Sequence, residues 1–505
     1  MKKYVMLFIG VSLLFASCSD NDDSGVQLNP GGPTPTAANV TVQNFMWQAL
    51  NVWYFWQADA PNLGDNRFST DEDYTAYLES FPNPSDFFFN TCYNHSRIVG
   101  GDAATDRFSF LAEDYRDLVN GFAGVSRSNG LEFDLMRISN DDVIGIVRYI
   151  IPNSDAATKS IARGDIFGMV DGQTLNVSNF NNLLNGSNDS YTLTLGTLNV
   201  EDDVFVSNNQ EVTLTKLEGL VENPVFITKS FEVNGQRIGY LMYNSFTRNF
   251  DEELNAAFGE LQADGVTDLV IDFRYNGGGS VNSSRLLASM IRGTNTNDLY
   301  LRQRWNDRIQ ASFSDDDLED FFAATTGAGT AINTLNLNRV FVIATGRTAS
   351  ASELVMNGLD PYINVIHVGT TTSGKNEFSI TLVDDPDRPN GPYVYTQSRE
   401  NLIPADSEWA IQPLVGRNEN ADGFLDYIEG FAPDIPLAED ILNYGVLGEL
   451  DEPLLARAIQ EITGVTAKVN LTPAKPMEVM TSSKMFTPMK DNMYLDKDFK
   501  MILPE

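Results

Sequence analysis

Strand-like and helix-like stretches alternate from about residue 225 onward, and this alternation constrains the fold more than any other feature of the chain. The helical pattern "DEELNAAFGELQADG" precedes the apolar run "DLVIDFR", and "NRVFVIAT" precedes a second helical pattern, "SASELVMNGLD". Strands that alternate with helices build a sheet with helical crossovers. We therefore predict an α/β core over residues 220–465.

Two regions with other patterns lie before this core. Apolar residues recur at three- and four-residue spacing over 39–115, which predicts an N-terminal helical domain. Residues 116–205 contain β-branched runs such as "VIGIVRYII" and predict a compact β-rich domain. After the core, residues 466–505 include "NMYLD" as a candidate strand, and we expect this tail to pack on the core. A chain of 505 residues has room for such a multidomain α+β protein.

The first residues have the pattern of a secretory signal. Lys2 and Lys3 precede an apolar run that is too short to span a bilayer, and small residues follow it. A cysteine directly after them resembles a bacterial lipobox, which implies a signal peptide over 1–17 and lipidation of Cys18. An ordinary signal peptide with an incidental cysteine is the alternative. Residues 18–38 are polar and rich in Pro and Gly, as in a flexible tether.

These N-terminal features predict a location in the cell envelope. The acidic "SDNDD" after Cys18 resembles the export tag of lipoproteins in the Bacteroidetes. We therefore expect an outer-membrane lipoprotein, periplasmic or surface-exposed, with the lipid bilayer as one partner. The net charge of −35 disfavours nucleic acid as another, because no basic surplus is present to neutralise phosphates.

The chain offers few residues for histidine or metal chemistry. Its two histidines, His95 and His367, lie in different regions, and His367 is in an apolar strand, which disfavours a Ser-His-Asp hydrolase. Residues 418–429 match the spacing of a calcium loop, but Asn418 replaces the usual first Asp and no amphipathic helix precedes it. An acidic turn is the preferred interpretation, with calcium left open. We expect no metal and no cofactor.

Ser350 and Lys375 are the candidates for nucleophile and base. Ser350 begins "SASE", a Ser-x-x-Glu pattern that also describes a helix capping box. Lys375 ends the Gly- and Thr-rich loop "VGTTTSGK", 25 residues further on. A lysine acts as a base only when neutral, so burial must lower its pKa from about 10.4 towards 7 or 8. The alternatives are a helix cap for the serine and a solvated surface position for the lysine.

A run of glycines follows the strand "DLVIDFR". Glycines there allow unusual backbone angles, and the amides of Gly277 and Gly278 are candidate donors to an oxyanion. Ala351 offers a third amide at the start of its helix. The alternative is a phosphate-binding turn, but neither Gly-x-Gly-x-x-Gly nor Gly-Lys-Ser/Thr follows.

Together these three segments resemble the carboxyl-terminal processing peptidases, serine proteases that use a Ser-Lys dyad. The similarity covers about residues 40–465 and implies that Ser350 attacks while Lys375 acts as base, with a crotonase-like ββα protease core. Two positions depart from the family pattern: Asn376 replaces glycine, and Ser379 stands where the family often has glutamine. A third catalytic residue is therefore not carried over.

The same family carries a PDZ domain, and the β-rich region resembles one. "GLEF", Gly130 to Phe133, is similar to the carboxylate-binding Gly-Leu-Gly-Phe loop. The resemblance implies that the amides of Leu131, Glu132 and Phe133 hold a peptide carboxylate while the peptide adds a strand. Glu132 in place of glycine adds a negative charge beside that site.

We therefore expect a lipid-anchored serine endopeptidase that cleaves unfolded or C-terminally presented polypeptides. One alternative is a non-catalytic peptide-binding lipoprotein that retains the fold, since fold does not guarantee function. Another is a hydrolase of non-peptide esters. The sequence leaves the physiological substrate and the oligomeric state open.

Overall fold

A computed structural model describes residues 33–389, 391–466, 469, 478–487 and 491–496. The predicted signal peptide, the lipidation site Cys18 and most of the predicted tether lie outside these residues. Among the helices described, none is long and apolar enough to cross a membrane.

The α-helices fall mainly in the N-terminal region and in the core. They are α1 (Thr41–Trp53), α2 (Asp71–Glu79), α3 (Pro84–Thr91), α4 (Ser96–Val99), α5 (Tyr115–Phe122), α6 (Phe180–Asn185), α7 (Asp251–Ala263), α8 (Val281–Arg292), α9 (Asp307–Gln310), α10 (Asp315–Leu318), α11 (Ala351–Leu359) and α12 (Pro453–Thr463).

The strands dominate from residue 125 onward. They are β1 (Phe110–Ala112), β2 (Val125–Ser128), β3 (Leu131–Arg137), β4 (Val143–Ile150), β5 (Ile166–Val170), β6 (Gln173–Thr174), β7 (Ser190–Asn199), β8 (Val204–Thr215), β9 (Leu217–Val221), β10 (Val225–Val233), β11 (Gln236–Tyr243), β12 (Asp268–Asp272), β13 (Gly279–Ser280), β14 (Leu299–Trp305), β15 (Glu319–Phe321), β16 (Arg339–Ala344), β17 (Asn364–Gly369), β18 (Glu377–Ser379), β19 (Leu382–Val383), β20 (Ala410–Gln412), β21 (Leu414–Glu419), β22 (Ile435–Pro436), β23 (Glu478–Ser482) and β24 (Met493–Tyr494).

The N-terminal helices pack directly on the core. Phe45 and Trp53 on α1 are buried in the same hydrophobic cluster as residues of α7, α8 and α11. The Trp53 indole also donates to the Pro392 carbonyl at 2.8 Å. Because apolar burial is shared in this way, the helical region and the core stabilise one another.

The β-rich region forms a seven-stranded sheet with the path β23-β3-β4-β5-β7-β8, on which β6 pairs with β5. The sheet extends past the predicted boundary at residue 205, since β8 pairs with β7 as far as Thr215. It also includes β23, which comes from far along the chain and pairs antiparallel with β3.

The core contains the predicted alternation of strands and helices. Its first sheet has the order β10-β11-β12-β16-β17-β22, parallel from β11 onward, with α7 between β11 and β12 and α11 between β16 and β17. A second sheet has the order β13-β24-β18-β21-β14-β15. The "NMYLD" stretch does form a strand, β24, and it lies inside this second sheet. The predicted mixed α/β, multidomain architecture with a helical N-terminal region is confirmed.

A buried charge cluster fixes the loop that leaves β12. The guanidinium of Arg274 is fully buried and forms ion pairs with Asp272 at 2.7 Å and Glu452 at 2.6 Å. A buried charge is tolerated only when it is paired in this way. The cluster therefore holds the start of the glycine loop against α12.

Candidate active site

Ser350 lies in a strained turn between β16 and α11. Its φ of +67° is in the left-handed region, which a side chain with a Cβ rarely adopts. Two threonines anchor the turn to the end of β12: Thr345 donates to the Arg274 carbonyl at 2.7 Å and Thr348 to the Phe273 carbonyl at 2.8 Å. Ser350 is buried, and among the described residues its hydroxyl has no hydrogen-bond partner. Strain of this kind persists where the surroundings over-determine a functional geometry.

Glu353 joins the nucleophile turn to the lysine loop. Its Oε2 accepts from the backbone amides of Ser350 at 2.8 Å and Lys375 at 2.9 Å. Its Oε1 accepts from the Gly374 amide at 2.7 Å and the Thr372 hydroxyl at 2.5 Å. Burial raises the pKa of Glu353 to about 6, and the four donors oppose that shift. The capping-box pattern predicted only the contact with Ser350.

The glycine loop touches the serine from the other side. A Cβ on Gly278 would lie 2.6 Å from the Ser350 Cβ, and the φ of Gly278 is +114°, so only glycine fits. The Gly278 amide, however, donates to the Asn276 side chain at 2.9 Å. The prediction of Gly278 as an oxyanion donor therefore needs correction, because its N–H is already engaged. Gly277 and Ala351 stay as the candidate donors.

Lys375 is buried, in accord with the burial that a catalytic lysine requires. Burial lowers the pKa of its amine to about 8, while Asp491 and Glu377 oppose that shift. The Nζ atom lies 5.0 Å from the centre of the Phe108 ring. It donates to the Asp491 carbonyl at 2.6 Å and to Asn492 Oδ1 at 3.3 Å. These two contacts, rather than Ser350, hold the amine in this structure.

Asn492 lies at the centre of the site. Its carbonyl oxygen would be 2.7 Å from a Cβ on Gly278, and that Cβ would be 2.8 Å from Ser350 Oγ. Its side-chain Oδ1 accepts from Ser379 Oγ at 2.8 Å as well as from Lys375. Asn492 Oδ1 thus links Ser379 to Lys375.

The "GLEF" loop carries fewer open amides than predicted. The Leu131 amide donates to Asn129 Oδ1 at 3.0 Å, and the Phe133 amide donates to Ser483 Oγ at 3.0 Å. Glu132 is buried beside Arg148 at 3.1 Å, so its negative charge is balanced. We call the predicted binding site for a peptide carboxylate, formed by the backbone amides of residues 131–133, the carboxylate cradle. In this structure side chains of the chain itself occupy two of its three amides, so the cradle is closed. The loop lines a cleft of about 610 Å³ that also reaches Gly277 and Gly278.

The remaining candidates have structural surroundings. His95 Nε2 contacts the Ser109 carbonyl at 2.9 Å, and His367 Nε2 contacts the Ala344 carbonyl at 3.2 Å. In the stretch 418–429, Asn420 Oδ1 accepts from the amides of Asp422 and Phe424, which shapes a turn. Within the described ranges, no group of three or more His, Cys, Asp or Glu residues could hold a metal ion.

Three residues at the site were missed by sequence reasoning. Phe108 comes from the N-terminal region, and Asp491 and Asn492 come from the tail. Asn492 carried one weak signal, its place in a candidate strand. The other two carried none, because neither lies in a motif.

Comparison with known proteins places two domains on the chain. Residues 237–387 match Peptidase family S41, and residues 41–110 match the Peptidase S41 N-terminal domain. The chain is 29% identical over 283 residues to the chloroplastic C-terminal processing peptidase of Tetradesmus obliquus, over 53% of this chain and 55% of that protein. It is 21% identical over 408 residues to the carboxy-terminal-processing protease of Bartonella bacilliformis, over 78% of each.

The alignment with the first of these relatives spans only about half of that relative's length. A solved structure assigned to the S41 proteases, from Bacteroides fragilis, superposes with a TM-score of 0.61 at 24% identity. It covers 83% of this chain and 97% of that one, which shows a shared fold. Two regions of the chain thus match the S41 peptidase family models, and carboxyl-terminal processing proteases are among the proteins it resembles.

Proposed function

We propose that this chain, which carries the S41 peptidase domains, is a serine endopeptidase with Ser350 as nucleophile and Lys375 as general base. The single observation that carries the proposal is the buried Lys375 amine with its lowered pKa, tied to the nucleophile turn by one carboxylate, Glu353. Such perturbed groups cluster at functional sites. The proposed substrates are unfolded or C-terminally presented polypeptides.

The reaction follows from the groups at this site. Neutral Lys375 takes the proton of Ser350 Oγ as that oxygen bonds to the peptide carbonyl carbon. The amides of Ala351 and Gly277 then stabilise the oxyanion. The carbon–nitrogen bond breaks as Lys375 returns the proton to the leaving amine, and water hydrolyses the acyl ester. For this to occur the lone pair of the amine must face Ser350 Oγ, which has no hydrogen-bond partner among the described residues.

The β-rich domain is the proposed peptide-binding module, of the PDZ type. Support comes from β3, which begins within the "GLEF" stretch and pairs along one edge with β23. An extended peptide that pairs with a sheet edge gains affinity from main-chain hydrogen bonds. By the same resemblance, the catalytic domain is proposed to be crotonase-like.

An N-terminal lipid anchor is proposed at Cys18, from the lipobox-like pattern alone. We expect metabolic labelling with a fatty acid to mark the chain, and Cys18→Ser to abolish the label. Unchanged labelling of Cys18→Ser would contradict the anchor, and Cys92→Ser is the matched control because Cys92 is buried.

The rate of cleavage should rise with pH through the lysine pKa. Below about pH 8 the Lys375 amine is protonated and cannot accept the serine proton, so the active fraction grows as pH rises. We expect kcat/KM to fall about tenfold for each pH unit below that value and to level off above it. A profile between pH 6 and 10 that is flat through 8 would contradict Lys375 as base.

A direct test uses one protein in two states. We expect a reduced, alkylated and therefore unfolded protein to be cut at internal bonds, and its native disulfide-bonded form to be left intact. Mass spectrometry of the products identifies the new ends. Binding of the unfolded protein without any cleavage would favour a non-catalytic peptide-binding protein. Hydrolysis of small esters without cleavage of the unfolded protein would favour a hydrolase of non-peptide esters.

A further inference from the structure

Two described stretches of the tail, residues 478–487 and 491–496, contact both proposed binding surfaces; we call them the distal segment. The first contact is with the β-rich domain. Strand β23 pairs antiparallel with β3, with Ser482 opposite Asp134 and Glu478 opposite Arg137. This is the sheet edge that a bound peptide would use, so the chain itself fills it.

Ser483 continues this contact into the carboxylate cradle. Its hydroxyl accepts from the Phe133 amide at 3.0 Å and from Arg148 at 3.2 Å. It donates to Glu132 at 2.6 Å. The hydroxyl thus takes donors that a peptide carboxylate would otherwise need, and it shares Glu132 Oε2 with Arg148.

The second contact is with the catalytic domain. Strand β24 lies between β13 and β18 and is parallel to both, with Gly279 opposite Met493 and Ser379 opposite Tyr494. The Leu495 amide donates to the Ser379 carbonyl at 3.0 Å. Since β24 is the only strand that joins β13 to β18 in the path of this sheet, its removal would open a slot for one extended chain.

The residues just before β24 contact the surroundings of both reacting groups. The Lys375 amine donates to Asp491 and Asn492, and the Asn492 carbonyl is packed against Gly278 beside Ser350. Ser350 Oγ has no hydrogen-bond partner among the described residues, so the amine does not contact the serine hydroxyl. The site is therefore assembled but not engaged.

We propose that the distal segment is an intramolecular inhibitor of the peptidase site, which a polypeptide substrate must displace from both β3 and the slot between β13 and β18. The inference rests on the proposed function, because it concerns the regulation of the same site. It predicts that exposure of Ser350 and cleavage activity increase together when the segment is released.

The order of the contacts favours an inhibitor over a substrate. A polypeptide whose terminus enters the cradle presents residues upstream of that terminus to the nucleophile. Here Ser483 lies at the cradle, and the residues that reach Ser350 are downstream of it. The segment therefore fills both surfaces in the reverse order.

Thiol labelling tests the inference without relying on catalysis. In a full-length Ser350→Cys chain, Met493→Asp puts a charge at a fully buried position of β24 and should expel the strand. Because an unpaired charge is strongly disfavoured at a buried position, we expect iodoacetamide to label the introduced thiol at least about tenfold faster. The matched control is Leu402→Asp, since Leu402 is 51% exposed and lies outside the distal segment, and its labelling rate should not change. Labelling of the chain that retains Ser350 measures the background reaction of the two natural cysteines, Cys18 and Cys92.

A milder variant guards against misfolding. Asn492→Ala removes the contacts with Lys375 and Ser379 and leaves the strand in place, and it should speed labelling by a smaller factor. Equal labelling in Met493→Asp, Asn492→Ala and their parent would overturn the inhibitor. Cleavage of the chain next to Asn492, seen as a loss of intact mass, would overturn it in favour of self-processing.

Activity separates the two proposals. With Ser350 retained, Met493→Asp should cleave unfolded protein faster than the parent chain. Faster thiol labelling without cleavage would support the proposal that the distal segment covers Ser350, but would contradict the proposed peptidase activity. If Met493→Asp and its parent cleave at the same rate and are labelled at the same rate, the result would support the peptidase activity and contradict inhibition by the distal segment.

Discussion

Lys375→Ala is expected to lower kcat/KM for unfolded polypeptides by about 10⁴-fold or more, and Ser350→Ala to do the same. The alanine at 375 removes the only buried amine beside the nucleophile within the described residues, so Ser350 keeps its proton at neutral pH. The double variant should be no slower than either single one, because the two residues act as a unit.

Matched variants show that the loss is chemical. Lys375→Arg keeps the charge but cannot lose its proton, so it should be as inactive as the alanine variant. Lys229→Ala removes a lysine that is 38% exposed and paired with Glu449, and its rate should be unchanged. A folded Lys375→Ala chain that cleaves at the parent rate would refute the dyad.

Glu353→Gln is expected to weaken both stability and catalysis. A glutamine offers one oxygen and one NH₂, so two of the four donors now held by Glu353 lose their acceptor. Each buried donor without a partner costs about 1–3 kcal/mol, and we expect the free energy of unfolding to fall by about 2–5 kcal/mol. The backbone amides of Ser350 and Lys375 both donate to Glu353, so the substitution weakens the hydrogen bonds that position the two residues. We therefore expect kcat/KM to fall about 10²-fold.

The pH profile distinguishes a positioning role from a purely structural one. The Glu353 carboxylate favours the charged lysine, so its loss should shift the midpoint of the rate profile below about 8. Glu449→Gln, at a side chain that is 53% exposed, is the control for both measurements. A Glu353→Gln enzyme with the parent's unfolding midpoint and pH profile would contradict this role.

Local patterns predicted the parts of the site that lie within single segments. The motifs around Ser350 and Lys375 named both as candidates, and their roles stay a prediction. The alternation of strands and helices predicted the sheet that carries them. The Ser-x-x-Glu spacing predicted the contact of Glu353 with Ser350. It gave no sign of the contacts with Thr372 and Gly374, which come from the loop after β17 and depend on how that strand packs.

Contacts between segments that are distant along the chain could not be predicted from the sequence. Lys375 and Asp491 are 116 residues apart, and β24 has only two residues, so neither periodicity nor spacing marks the pair. The engagement of the Gly278 amide by Asn276 was missed for a different reason. A glycine run shows where the backbone is free to bend, but not which side chain will take its N–H.

The central claim, that Ser350 is acylated with Lys375 as base, is tested most directly by trapping the acyl-enzyme. An activated ester of a short peptide is mixed with the Met493→Asp chain, in which the slot should be open, and acid stops the reaction. We expect mass spectrometry to locate the acyl group on Ser350, and Lys375→Ala in the same background to acquire it at least about 10⁴-fold more slowly. Acylation of another residue, or of Ser350 at an equal rate without Lys375, would contradict the account.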